Sequence, residues 1–144
     1  MGARTTAREA ALQMLFAMEA TGNDAEQVIY DFWRELPGDA EGREYADQLV
    51  RGVQQDLAAI DGRIRAASQN WRLERMARID RNALRLGAYE LQTRSDVPRA
   101  VILDEAVELA KRFGSDESSK FVNGVLDRIA EDLGRKDTDQ GATG

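Results

Sequence analysis

Ala83-Leu84-Arg85-Leu86-Gly87-Ala88-Tyr89-Glu90-Leu91 is the stretch on which the fold class turns. Ala83, Leu84, Leu86, Gly87, Ala88 and Leu91 recur at helical rather than alternating spacing, densely enough for a helix covered on most sides. Working backwards, Trp71, Leu73, Met76 and Ile79 lead into the same pattern, so a central helix at the core is expected here. The chain has two prolines, Pro37 and Pro98, and helical spacing fills the interval between them. An all-α protein of six or seven helices follows.

Towards the N-terminus, Tyr45, Leu49, Val53, Leu57, Ile60 and Ile64 trace one long stripe through residues 41 to 67, weakened by Gly52 and Gly62. Pro37-Gly38-Asp39 reads as the turn before it. Val28, Ile29, Phe32, Trp33 and Leu36 form a short aromatic helix that Asp24 can cap. The first helix is expected to start near Thr6, which with Glu9 matches a capping box, and to end at Thr21-Gly22-Asn23. Towards the C-terminus, Ser95-Asp96-Val97-Pro98 predicts a loop. Val101 to Phe113 resumes helix, and Ser115 or Asp116 caps a last helix carrying Phe121, Val122, Val125, Leu126, Ile129 and Leu133. One domain over 1–133 is expected, with halves at about 1–68 and 69–133. Residues 134–144 have no apolar anchor except Ala142 and read as a frayed, disordered tail.

At 144 residues there is room for one ordinary domain, and 42% apolar against 32% charged residues suits a core beneath a charged surface. Cysteine and histidine are both absent, which removes disulfides, thiol nucleophiles, imidazole bases and ordinary zinc or haem sites. No glycine precedes Lys-Ser or Lys-Thr and no Gly-x-Gly-x-x-Gly occurs, so nucleotide hydrolysis is not expected. Asp104, Glu105 and Glu108 could imitate a carboxylate metal site, but bundle sites of that class need histidines, and solvated carboxylates are the preferred reading. No metal, no cofactor and no catalytic residue are expected. The N-terminus has no signal-peptide core and no apolar run is long enough to span a bilayer, so the reading is soluble, cytoplasmic and without membrane contact.

A net charge of -6 argues against adhesion to nucleic acid through overall charge, so any such contact must be local. Residues 1–60 carry net -6, residues 61–85 net +4 and residues 86–144 net -4. The basic island is all arginine: Arg63, Arg65, Arg72, Arg75, Arg78, Arg81 and Arg85. Arginine suits phosphate and carboxylate recognition, although an island of this kind can equally neutralise acidic neighbouring helices. Arg78, Arg81 and Arg85 share a helix face. Arg4 and Arg8, at the opening of the first helix, could reach a phosphate backbone. Lys111, Arg112 and Lys120 flank the Phe113-Gly114 turn beside Phe121, which could stack a base or lie in the core. By physics alone the chain is a helical interaction module with a local basic face.

Several segments together resemble the NusB family of bacterial transcription antitermination factors. They are Arg8-Glu9-Ala10-Ala11-Leu12-Gln13-Met14-Leu15-Phe16, Asp80-Arg81-Asn82-Ala83-Leu84-Arg85-Leu86-Gly87-Ala88-Tyr89-Glu90-Leu91, Asp96-Val97-Pro98, Glu105-Ala106-Val107-Glu108-Leu109-Ala110-Lys111 and Lys120-Phe121-Val122-Asn123-Gly124-Val125-Leu126-Asp127. The match runs roughly from residue 4 to 132, and Phe-Val-Asn-Gly-Val-Leu-Asp is its most specific part. The resemblance implies two small helical bundles packed together and no enzymatic activity. It implies binding of boxA RNA jointly with a small-subunit ribosomal protein, also called NusE, in a complex with RNA polymerase and other Nus factors that supports ribosomal RNA transcription. In some relatives a homodimer covers the RNA face.

Carried over by position, the RNA-binding residues are Arg4, Arg8, Phe16, Glu117, Lys120 and Phe121, and the partner-binding residues are Asp80, Arg81 and Arg85. The N-terminal arginine cluster is sparser here than in many members. Leu103-Asp104 also departs from the usual apolar residue followed by Asn, which exchanges an amide for a carboxylate. Two rivals remain on sequence. One is a helical adaptor that never touches RNA, and the other is the similar N-terminal domain of certain ribosomal RNA cytosine methyltransferases, against which the chain length argues.

Overall fold

The computed structural model describes residues 2–36, 40–69 and 71–141, and these contain seven α-helices, one short 3₁₀ turn and no strand. By contact they fall into two compact units, Met1–Asp56 and Leu57–Gly144.

The first unit consists of α1 (Ala3–Thr21), α2 (Ala25–Glu35) and α3 (Ala40–Gln55), each packed on the other two. Ala11, Leu12 and Met14 of α1 and Ala46, Leu49, Val50 and Val53 of α3 are all at most 1% exposed. Each large side chain removed from water in this way is worth about 1.5–3 kcal/mol. Helix α1 begins a turn before the expected capping box. Gly2 is its N-cap, and the Thr6 hydroxyl, already inside the first turn, donates to the Gly2 carbonyl at 3.3 Å. The helix ends as the sequence predicts, on Gly22 at φ 75°, a left-handed angle that glycine adopts without a Cβ penalty. Asp24 then caps α2 by accepting from the Gln27 N–H at 3.0 Å. The predicted turn at Pro37-Gly38-Asp39 lies outside the described residues.

The second unit consists of α4 (Leu57–Ser68), the 3₁₀ turn Leu73–Arg75, α5 (Arg78–Thr93), α6 (Arg99–Phe113) and α7 (Asp116–Asp132). The stripe expected to run unbroken from 41 to 67 is two helices parted at Asp56. Its second part, with Ile60 and Ile64 fully buried, packs on α5 and α7. Periodicity shows that a face is buried, and it does not say against what. Helix α5 is the centre of this unit, in contact with α4, α6 and α7, and its Ala83, Leu84 and Ala88 are fully buried. Gly87 explains how closely α7 approaches, since a Cβ there would lie 2.6 Å from Leu126 Cδ1. Pro98 stands just ahead of α6, and Ser115 caps α7 by accepting from the Ser118 N–H at 3.0 Å.

The segment after α7, expected to fray, is held as far as Gly141 by arginine rather than by apolar contact. Arg135 donates to the carbonyls of Leu91, Arg94 and Val97 at 3.3, 3.3 and 2.6 Å, closing the C-terminal end of α5. Its guanidinium also pairs with Asp139 at 2.6 Å. Arg99, 4% exposed at the start of α6, pairs with Asp127 at 2.5 Å, Glu131 at 3.0 Å and Asp137 at 3.1 Å, and donates to the Arg135 carbonyl.

Candidate functional site

In the first unit, Arg4 and Arg8 both meet one buried tyrosine. The Arg4 guanidinium lies 4.7 Å from the centre of the Tyr45 ring and that of Arg8 lies 5.5 Å from it. Arg8 also reaches the Tyr45 hydroxyl at 3.4 Å. The two arginines differ in exposure: Arg4 is exposed and Arg8 is 3% exposed. The sequence suggests that both can reach a phosphate backbone, and they are not equally placed to do so. Both sit in α1, with Arg8 tying that helix to α3 and only Arg4 presented to solvent. Phe16 is half-buried on the same helix. A groove of about 200 Å³, lined among others by Phe32, Trp33 and Leu36, holds none of the predicted site residues.

In the second unit the predicted residues gather around the start of α5 and the start of α7. The Ser115 cap sets the first turn of α7, and the spacing of Glu117, Lys120 and Phe121 puts them on one face. Phe121 meets Trp71 edge to face, ring centres 5.8 Å apart. Beside them lies a cleft of about 310 Å³ whose lining includes Trp71, Arg75, Met76, Asp80, Glu117 and Phe121. Glu117 and Phe121, predicted for RNA, and Asp80, predicted for the partner, therefore share one cleft. Lys120 is exposed beside Phe121.

The two arginines expected beside Asp80 turn into the protein. Arg85 grips Asp61 through two bonds of 2.9 and 3.0 Å, with the side chains only 13% and 12% exposed, and reaches Asn82 Oδ1 at 3.3 Å. Arg81 donates to the carbonyls of Leu73 and Met76 at 3.3 and 3.0 Å, which fixes the 3₁₀ turn against α5. A planar fork that satisfies several acceptors at once suits both tasks. Asp80 behaves differently. Its Oδ1 is buried and finds no hydrogen-bond partner among the described residues, a costly state unless a ligand supplies a donor.

Sequence reasoning missed Trp71 as a site residue, because helical spacing assigned it to the core. It is 60% exposed. The available signal was its position directly before Arg72, with Arg75 four residues on, in a stretch that closes in a 3₁₀ turn. Elsewhere in the island, Arg65 pairs with Glu74 at 3.4 Å and Arg63 donates to Gln92 at 3.1 Å. Among the described residues no group of three or more His, Cys, Asp or Glu is placed to hold a metal, and no helix is long and apolar enough to cross a membrane.

Comparison with known proteins agrees with this architecture. The model of the NusB family matches residues 5–131. Transcription antitermination protein NusB of Sorangium cellulosum is 72% identical over 140 residues, which covers 97% of this chain and 100% of that protein. The protein of the same name from Myxococcus xanthus is 48% identical over 139 residues, covering 94% and 99%. Among solved structures, T. maritima NusB matches with a TM-score of 0.83 at 41% identity, covering 89% of this chain and 90% of that one. A crystal structure of antitermination factors NusB and NusE in complex with dsRNA matches with a TM-score of 0.84 at 28% identity, covering 92% and 98%.

Proposed function

The chain belongs to the NusB family, and on that premise we propose that it is a transcription antitermination factor that binds boxA RNA together with NusE. It joins the complex of RNA polymerase and other Nus factors and supports ribosomal RNA transcription. Its work is binding rather than bond-making, carried out in the cytoplasm.

The observation that carries this reading is the cleft at which Asp80 meets Glu117 and Phe121. A partner seated on the Asp80 side borders the RNA side, so each can strengthen the other's contacts. Arg4 and Lys120 supply phosphate contacts, and Phe121 with Phe16 supplies stacking, the common way of reading unpaired RNA. Arg8 contributes indirectly by holding the end of α1 that carries Arg4. Arg81 and Arg85 act as positioning residues that fix the turn and helix presenting Asp80. With a net charge of -6 the protein relies on few cations, so binding is steeply dependent on the partner.

Fluorescence anisotropy of labelled boxA RNA against a scrambled control, with and without NusE and at two salt concentrations, tests this. Sequence-selective binding that NusE strengthens and salt weakens is expected. NusE binding without selective RNA binding would leave the adaptor reading in its place.

A further inference from the structure

We propose that the cleft behind Trp71 seats one unpaired nucleobase, so that the segment Trp71–Arg75 extends the RNA surface, an inference that rests on the RNA-binding reading above. Trp71 offers a large exposed face, braced edge to face by Phe121, which is the form of a stacking platform. The cleft, about 310 Å³, admits a flat ring beside it. Asp80 lines its wall, with Oδ1 buried and unpartnered among the described residues, and a carboxylate accepts only, so an occupant that reaches this oxygen brings an N–H or O–H donor. Guanine presents adjacent N–H donors on its Watson–Crick edge, and uracil presents one.

Charge around the cleft separates base from backbone. The two carboxylates, Asp80 and Glu117, line the cleft itself and would repel a phosphate there. Arg75 also lines it, Arg72 follows Trp71 in the chain and Lys120 precedes Phe121, and none of these three makes an ion pair among the described residues. Arg75 in the lining, with exposed Arg72 and Lys120 next in the chain to Trp71 and Phe121, offers phosphate contacts at the rim, and the open tryptophan face beside them favours a stacked base.

The test uses the full chain carrying Trp33→Phe, which leaves Trp71 as the one tryptophan, and short uridine oligonucleotides containing a single guanosine or inosine. Binding of the guanosine oligonucleotide should quench Trp71 emission, and inosine, which lacks the 2-amino donor, should bind several-fold more weakly. Trp71→Ala should weaken binding about tenfold, with partial rescue by Trp71→Phe. Combining Arg72→Glu with Arg75→Glu should flatten the salt slope by about 0.7 for each phosphate that is no longer neutralised. Oligonucleotide binding by anisotropy with unchanged emission and an unaffected Trp71→Ala variant would overturn the base seat and leave the proposed function standing. A Trp71→Ala variant that loses only affinity for the protein partner would assign the cleft to that partner. Absence of any RNA binding, alone or with the partner, would remove both readings.

Discussion

Replacing Arg85 by Met would remove the guanidinium while keeping most of its hydrocarbon length, so packing changes little and the electrostatic loss dominates. Asp61, 8% exposed, would then sit on α4 without the two bonds of 2.9 and 3.0 Å that now satisfy it. Removing one partner of a buried ion pair costs about 3–5 kcal/mol, and the slight exposure of both side chains places this case near the lower end, at about 3 kcal/mol. With a urea slope of about 2 kcal/mol/M, the unfolding midpoint should fall by about 1.5 M. The double variant Asp61→Leu with Arg85→Met removes both charges and should recover most of the loss, because an apolar pair of similar volume is often as stable as the ion pair. Urea titrations followed by circular dichroism on the four proteins of the cycle measure this. At a temperature where all are folded, affinity for NusE should change less than about threefold, which is about 0.7 kcal/mol. An Arg85→Met protein of ordinary stability that has lost NusE would refute the reasoning and make Arg85 a direct contact.

Other outcomes follow from single side chains. Gly87→Ala would set a Cβ 2.6 Å from Leu126 Cδ1, so overpacking of about 1–3 kcal/mol should lower the melting temperature, whereas in a Leu126→Ala background, itself destabilised by its cavity, the same substitution should cost little more. Arg4→Glu should weaken boxA binding and cost only about 1 kcal/mol of stability through its exposed contact with the Tyr45 ring, whereas Arg8→Met should lower stability more because Tyr45 loses a buried guanidinium against its ring and hydroxyl; the opposite pattern in paired melting and anisotropy measurements would reverse their roles. The C-terminal clip is acid-sensitive. The Gly141 N–H, followed by Arg135, holds the Asp139 carboxyl below its ordinary value, so its contribution is complete above about pH 4 and is lost as pH falls through the lowered value. Hydrogen exchange should therefore show residues 134–141 opening in acid before the helices do, and Arg135→Ala should open them at neutral pH.

The helices could be read from spacing because a buried face leaves a period of three to four in the chain, and Gly22, Asp24, Pro98 and Ser115 punctuate it by local backbone chemistry. The break at Asp56 could not be read in that way. Both Val53 and Ile60 are buried, and a single stripe cannot show that its two parts serve different cores. The expected tail misled for a related reason. Its anchors are Arg135 and Arg99, whose partners are mostly backbone carbonyls and carboxylates of other elements, and arginine in a polar stretch reads as solvated.

The site divides in the same manner. Family membership followed from sequence runs such as Lys120 to Asp127, which demand particular side chains in a particular order. The charge of each arginine was equally plain in the chain, but its destination was not. Arg4 faces solvent while Arg8, one helical turn on, is buried against Tyr45; Arg75 lines a cleft while Arg81 and Arg85 bind inside the protein. Sequence by itself determined the helices, the family and the local excess of positive charge, because these depend on residue type and short-range spacing. Only the tertiary structure decided which cations remain available and that Trp71, Asp80 and Phe121 enclose one cleft, because both depend on acceptors and rings brought together from distant points of the chain.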